Sequence, residues 1–226
     1  MAVEIRRVRA GITNTFVLRE RGTVVVDPGG PSGGRAALRR ILTFLGTPPR
    51  LDLVLITHGH FDHRAAAEML RAATGAPVAV HQADVHLLVA GRPIWPGGVT
   101  RWGRVLRRAL GPVVGAMRAR SLEPDVLVDD EGIDLWAYGV SGRVVHTPGH
   151  TRGSVSVVLT SGDAFVGDLA MNRLPLCLRP SLGLFAEDPL ELRASWQRLI
   201  DLGVRMVYPA HGRPFPASAL STPPSP

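Results

Sequence analysis

Three histidines and an aspartate fall within six consecutive positions of Thr57-His58-Gly59-His60-Phe61-Asp62-His63. The apolar run Leu53-Val54-Leu55-Ile56 lies directly before them and reads as a short buried strand. Residues 61–74 after it predict a helix. The cluster therefore belongs on a strand-to-helix turn, where a rigid scaffold can aim side chains at one point. Imidazole and carboxylate together suit zinc, and other first-row metals less selectively. Read as ordinary turn residues, four such side chains would have no chemical reason to stand together.

Composition narrows the setting. A chain of 226 residues with 45% apolar content can bury one sizeable core. We expect a single domain over residues 1–216 and a flexible Ser/Pro/Ala-rich tail over 217–226. The single cysteine, Cys177, permits no internal disulfide and fits a cytoplasmic protein. The N-terminal stretch lacks the apolar core of a signal peptide, and no run approaches the length of a transmembrane segment. All 26 basic residues are arginine, and the net charge is +7. That charge favours anionic partners, but a codon bias toward Arg, Ala, Gly and Pro explains it as well, so nucleic acid is not the favoured partner.

Along the chain, strands are predicted at 3–8, 13–18, 23–26, 53–56 and 78–80. Asn14 points into the sheet mouth or closes a turn, and the turn is preferred. Asp27 ends the third strand, where it could cap its own turn or accept the second ring N–H of a ligand histidine. A helix is predicted at 34–45, capped by Ser32 and stopped by Pro48-Pro49. His81 and His86 read as surface or capping residues. Residues 91–124 form an insertion, with an amphipathic helix at 101–120 that Pro112 should kink or split. Its apolar face, with Trp102 and the loop residue Trp95, suits a cap over the site, a homodimer interface or a membrane surface. The second half predicts strands at 126–128, 133–136, 144–146, 154–159, 164–166 and 205–207, with a helix at 190–202. Residues 169–187 would form another pocket wall, and His146 reads as structural.

The motif and four later segments in the same order resemble the metallo-β-lactamase superfamily. Asp27 ends Val24-Val25-Val26, His150 closes Thr147-Pro148-Gly149-His150, Asp168 follows Phe165-Val166-Gly167, and His211 follows Tyr208-Pro209-Ala210. The resemblance implies an α/β (α+β) four-layer αββα sandwich. It implies that His58, His60 and His150 hold one metal, that Asp62, His63 and His211 hold a second, and that Asp168 bridges them. It also favours Asp27 as the residue behind a ligand histidine. Two Zn2+ ions are the expected cofactors, with iron or manganese also compatible with N/O ligands. A metal-bridging hydroxide would then cleave a thioester, lactone or related ester, with Asp62 a ligand able to pass protons.

Departures from neighbouring branches refine this expectation. Gly59 stands where oxygen-reducing diiron members carry a ligand glutamate. Asp168 is a bridging carboxylate that metallo-β-lactamases proper lack. The ligand set is most similar to glyoxalase II, whose helical glutathione-binding domain would have to follow His211. Only fifteen residues do so here. The expected substrate is a small anionic or acyl molecule, with Arg92, Arg101, Arg173 and Arg179 as candidates to hold its charge. The alternatives are a mononuclear iron sulfur dioxygenase, a phosphodiesterase, or a module that binds nucleic acid or membrane.

Overall fold

The computed structural model describes residues 2–29, 34–90, 93–94, 97–99, 101–116, 120–172 and 184–220. The expectations for Ser32, Arg92, Trp95, Arg173, Cys177, Arg179 and positions 221–226 lie outside the described residues.

The strands are β1 (Glu4–Ala10), β2 (Thr13–Arg19), β3 (Thr23–Val26), β4 (Leu53–Leu55), β5 (Val78–His81), β6 (Val126–Val128), β7 (Ile133–Asp134), β8 (Gly142–His146), β9 (Val155–Leu159), β10 (Asp163–Phe165), β11 (Met206–Tyr208) and β12 (Phe215–Pro216). The helices are α1 (Gly34–Leu45), α2 (Phe61–Arg64), α3 (Ala67–Thr74), α4 (Val85–Val89), α5 (Arg101–Ala116) and α6 (Pro189–Asp201). Two six-stranded sheets result, ordered β1-β2-β3-β4-β5-β6 and β12-β11-β10-β9-β8-β7. Each begins in antiparallel hairpins, which short turns suffice to close. The β3/β4 and β4/β5 pairs are parallel, and their crossovers carry α1 and then α2 with α3.

Strand periodicity builds the layers. In β2, Phe16 and Leu18 face one way and Val17 the other. Phe16 and Leu18 join Val24, Leu55, Val157 and Phe165 in a core between the sheets. Val17 packs with Val25, Ile41, Val54 and Leu70 beneath the helices of the first sheet. Val158 and Val207 of the second sheet pack with Leu192, Trp196 and Leu199 of α6. Three apolar interfaces between four layers make the αββα sandwich.

Several predicted elements are corrected. The helix expected over 61–74 is broken after Arg64. Ala65 N donates to Gly29 O at 2.7 Å and Ala66 N to Pro28 O at 3.2 Å, so the loop after β3 captures the donors that would continue the helix. The strand expected over 133–136 stops at Asp134, whose Oδ1 accepts Trp136 N–H at 2.9 Å and turns the chain. Helix α5 runs through Pro112 without splitting. Its Val114 does wall the site, yet Trp102, Val105, Leu110 and Val113 stand exposed, so most of the apolar face is not packed on the chain. Within the stretch expected as a tail, Ala217 and Leu220 are buried against the α6 core. No helix among the described residues is long and apolar enough to cross a membrane.

Phe165 is fully buried between the sheets, with its ring 4.9 Å from Phe16 and 4.8 Å from Tyr208. Phe165→Ala should cost about 3–5 kcal/mol of unfolding free energy in a denaturant titration. A change below about 1 kcal/mol would show that the core collapses around the gap.

Candidate metal centre

The site residues come from strand ends at one edge of the sandwich. Asp27 ends β3, His58 follows β4, His150 lies in the turn between β8 and β9, Asp168 follows β10, and His211 follows β11. His60 takes the N-cap position of α2 in extended conformation, and Asp62 and His63 occupy its single turn. The structure brings together all seven residues expected to hold metal. His60 Nδ1 lies 3.0 Å from His150 Nε2, and the His58 ring centroid lies 4.7 and 4.6 Å from theirs. His211 Nε2 lies 3.2 Å from Asp62 Oδ2 and 3.3 Å from Asp168 Oδ1. Asp168 stands between the two groups, with Oδ1 3.5 Å from His63 Nε2 and Oδ2 3.7 Å from His150 Nε2.

The outer nitrogens of four of these histidines are occupied. His63 Nδ1 meets Asp27 Oδ2 at 2.9 Å. His150 Nδ1–H donates to Phe185 O at 2.9 Å, and His211 Nδ1–H to Ile12 O at 3.2 Å. The Thr57 hydroxyl donates to Asp27 Oδ2 at 2.7 Å and can therefore accept from His58 Nδ1 at 3.2 Å. Each contact fixes the tautomer and turns Nε2 inward, as metal ligation requires. His58 Nε2, His63 Nε2 and Asp168 Oδ1 are then buried without a hydrogen-bond partner. Orphaned buried atoms of this kind are costly, and a divalent cation would satisfy all three. His58/His60/His150, His58/His63/Asp168 and Asp62/His63/His211 each have ligand atoms within 4.8 Å of one another. The donor set thus fits divalent metal, and the three groups overlap at His58 and His63.

Electrostatics distinguish the two halves. Burial, reinforced by His63 and His150, holds His58 well below its usual value. Burial and His150 push His60 down to about 3. Burial also disfavours the charged form of His63, but Asp27, Asp62 and Asp168 override it and raise its pKa well above the usual value. His211 likewise loses to burial and regains from Asp168 and Asp62, reaching about 9. Burial opposes charge on Asp62 and Asp168 too, yet the adjacent histidines hold both below the usual carboxylate range.

Three further residues position the ligands and were missed in the sequence. Buried Asp84 accepts Gly59 N–H at 2.8 Å, Thr151 Oγ–H at 2.7 Å and Gly153 N–H at 2.9 Å, tying the His58 and His150 loops together. Thr57 N–H donates to Asp27 Oδ1 at 2.8 Å. Asn14, expected in a turn, instead sits within β2 and donates to Pro209 O and Gly212 O on either side of His211. No local pattern announces these roles, since each partner is distant in sequence. At Gly59 a Cβ would lie 2.4 Å from Leu87 Cβ, so this position has no room for a ligand side chain.

An apolar pocket of about 150 Å³ covers the ligands, walled by Ile12, Phe61, Ile94, Val114, Met171 and Phe185. Arg101, expected to hold an anion, is exposed and does not line it. A larger groove of about 710 Å³, walled in part by Glu131, Trp136 and Arg205, holds none of these ligands. His81, Asp130 and His146 form another cluster. The His81 and His146 rings stack at 4.1 Å with planes 10° apart. An imidazole lone pair lies in its ring plane, and nearly parallel planes offer no common point for one ion. His81 is buried rather than on the surface, and its Nδ1 accepts Ala83 N–H at 3.3 Å as a helix cap. His146 Nε2–H donates to Arg152 O at 2.8 Å.

Residues 8–211 match the family model described as the metallo-beta-lactamase superfamily. An uncharacterized protein of Mycobacterium tuberculosis is 38% identical over 175 residues, spanning 71% of this chain and 69% of that protein. The hydroxyacylglutathione hydrolase of Cereibacter sphaeroides is 35% identical over 123 residues, or 54% of this chain and 34% of that enzyme. The solved BLEG-1 B3 metallo-beta-lactamase superposes with a TM-score of 0.66 at 26% identity, with 98% of each chain covered.

Zinc added to metal-free protein should load the two groups with different proton yields. His58 and His60 are already neutral at pH 7, whereas His63 and His211 must lose a proton to become ligands. Affinity at the second group should therefore rise with pH through about 9, the His211 value, and more steeply than affinity at the first. Calorimetry in buffers of differing ionisation enthalpy reads the released protons, and equal release from both groups would contradict this assignment. In metal analysis, Asp27→Ala should weaken binding about 10–100-fold, as loss of an outer partner does. His146→Ala should leave metal content unchanged, and loss of one equivalent would place His146 among the ligands.

Proposed function

Because the chain belongs to the metallo-beta-lactamase superfamily and its matched span brings seven imidazole and carboxylate side chains together, we propose that it is a dinuclear metal-dependent hydrolase. Its bond is a thioester, lactone or related ester, and its resident metal is zinc. The observation that carries this reading is Asp168. Its two oxygens face the two histidine groups, and His58 Nε2 and His63 Nε2 beside it lack hydrogen-bond partners. Similarity to a hydroxyacylglutathione hydrolase supports a thioester among the candidate bonds.

His58, His60 and His150 would hold one ion and Asp62, His63 and His211 the other, with Asp168 shared. When bound, such a pair supplies Lewis acidity and an activated water near neutral pH. The chain supplies the rest. Asp27 keeps the His63 proton on Nδ1 and its lone pair inward. Phe61, Ile94, Val114, Met171 and Phe185 form an apolar wall that receives the acyl portion and limits water. The Asp62 side chain is 17% exposed against 9% for Asp168, so Asp62 is the better-placed carboxylate to pass a proton to the leaving thiolate or alkoxide.

Metal content of freshly purified protein, read beside turnover of thioesters, lactones and phosphodiesters, tests the proposal. About two zinc ions per chain with thioester or ester turnover is the expected result. His60→Ala should reduce that turnover to the uncatalysed background while the fold persists by circular dichroism. One iron per chain with oxygen consumption and no hydrolysis would replace the proposal with a sulfur dioxygenase.

A further inference from the structure

Strand β1 lies at the edge of its sheet, and its alternation carries an anomaly. Val8 and Ala10 pack beneath the helices, while Ile5, Arg7 and Arg9 share the opposite face. Ile5 packs against the core between the sheets, but Arg7 and Arg9 are exposed. Arg9 pairs in register with Asn14, and Asn14 Nδ2 donates to Gly212 O at 2.9 Å. The loop that follows the ligand His211 is thereby held against this end of the sheet, and it presents a third arginine, Arg213.

That loop is locked in place. Asn172 Oδ1 accepts Arg213 N–H at 2.7 Å, and its Nδ2 donates to Arg213 O at 3.1 Å. Gly212 has φ +136°, and a Cβ there would lie 2.0 Å from Asn172 Oδ1, so only glycine permits the clamp. Arg7, Arg9 and Arg213 line a cleft of about 260 Å³ together with Ile12, Asn14 and His211. Among the described residues no carboxylate lines it. Among the described residues none of the three arginines has an ion-pair partner. Ile12 and His211 also line the apolar pocket over the metal ligands, so the basic cleft and that pocket share a wall. Inward charges on an edge strand discourage sheet-to-sheet aggregation, which accounts for Arg7 and Arg9. It does not account for a clamped third arginine brought to the same cleft from a loop beside a metal ligand.

We propose that this cleft is an anion subsite, which holds a carboxylate or phosphate on the leaving-group portion of the substrate while the acyl portion occupies the apolar pocket. The inference rests on the ester or thioester reading above and deepens it. Guanidinium groups match both anions through paired N–H donors.

Thioesters sharing one acyl group but differing in the thiol provide the test: neutral N-acetylcysteamine, carboxylate-bearing 3-mercaptopropionate, and a thiol carrying a phosphate monoester. At least one anionic thioester should exceed the neutral one in kcat/KM by about tenfold, mainly through KM. The preferred anion tells carboxylate from phosphate. In Arg7→Ala/Arg9→Ala/Arg213→Ala the ratio should fall to about one, while the triple lysine variant should keep part of the preference. Equal kcat/KM for all three thioesters in the wild type would overturn the subsite. So would an anionic preference that survives the alanine substitutions. Calorimetric binding of the matching non-hydrolysable thioethers to the metal-loaded protein separates this outcome from failure of the hydrolase reading. Tighter binding of an anionic thioether, lost in the alanine variant, upholds the subsite even without turnover, and equal binding of all three rejects it.

Discussion

The carboxylate of Asp27 is the contact on which this edge of the molecule depends. It accepts Thr57 N–H, the Thr57 hydroxyl and His63 Nδ1–H, joining the end of β3 to the turn after β4 and to α2. Its backbone sits at φ +50°, a region that costs a residue other than glycine about 1–3 kcal/mol. The three side-chain bonds, together with Thr15 Oγ–H donating to Asp27 O at 2.6 Å, hold the residue there. That backbone turn sends Pro28 and Gly29 back across the chain, where their carbonyls take the N–H groups of Ala66 and Ala65 and end α2 after one turn. The same residue therefore orients His63 and cuts short the helix that carries it, leaving His60, Asp62 and His63 turned toward the clustered imidazoles and carboxylates.

Asp84 repeats the device across the gap between the sheets. Its three donors come from Gly59 beside the first histidines and from Thr151 and Gly153 beside His150. A buried carboxylate with both oxygens satisfied by donors is tolerable in a low dielectric, and it restrains every group that points at it. The inner atoms are treated in the opposite way. The scaffold saturates the outer nitrogens of four histidines and leaves His58 Nε2, His63 Nε2 and Asp168 Oδ1 without hydrogen-bond partners, so a cation there would offset the cost of burying them. In the protein without metal, imidazolium–carboxylate pairing of His63 and His211 with Asp62 and Asp168 partly relieves that cost. This is why protons and metal compete there, and not at the neutral His58 and His60.

Local patterns in the sequence carried much of the architecture. The helix at 34–45 and the strands at 23–26 and 126–128 need only their own periodicity and flanking residues, and the structure has the same bounds. The candidate ligands stood out in the sequence because four of them fall within six positions and the others follow apolar strands. Failures occurred where a distant partner decided the outcome. The break at Ala65-Ala66 depends on carbonyls more than thirty residues upstream. Asp84 lies 25 residues from Gly59 and 67 from Thr151. In α5 the periodicity revealed an amphipathic helix, but periodicity cannot tell whether neighbours cover its apolar face, and Trp102 and Val113 remain exposed. Of the arginines expected at the pocket rim, only Arg101 lies among the described residues, and it is exposed and does not line the pocket. Arg7, Arg9 and Arg213 meet at the adjoining cleft because β1 and the His211 loop close on each other across nearly the whole chain, as in the bond from His211 to Ile12, 199 residues apart.

That closure also places limits on what the centre can act upon. The apolar pocket and the basic cleft meet at Ile12 and His211, and the Asp62 and Asp168 carboxylates lie within 3.3 Å of the His211 ring. A substrate with an apolar acyl end and an anionic end would therefore be held at two points, with its scissile bond at the shared wall. Tethering both ends restricts translation and rotation of that bond relative to the ligands, and this orientation lowers a barrier without adding groups to the chemistry. The remote charge also supplies binding energy that can be used to strip water from the reacting carbonyl, which a purely apolar pocket of about 150 Å³ has little surface to provide. In a chain without lysine, arginine suits this task, because its planar guanidinium fixes the direction of an anion as well as its charge. Selectivity would then reside in β1 and the 211–213 loop rather than in the metal ligands, so relatives with the same centre can differ in substrate by changing residues that touch no metal.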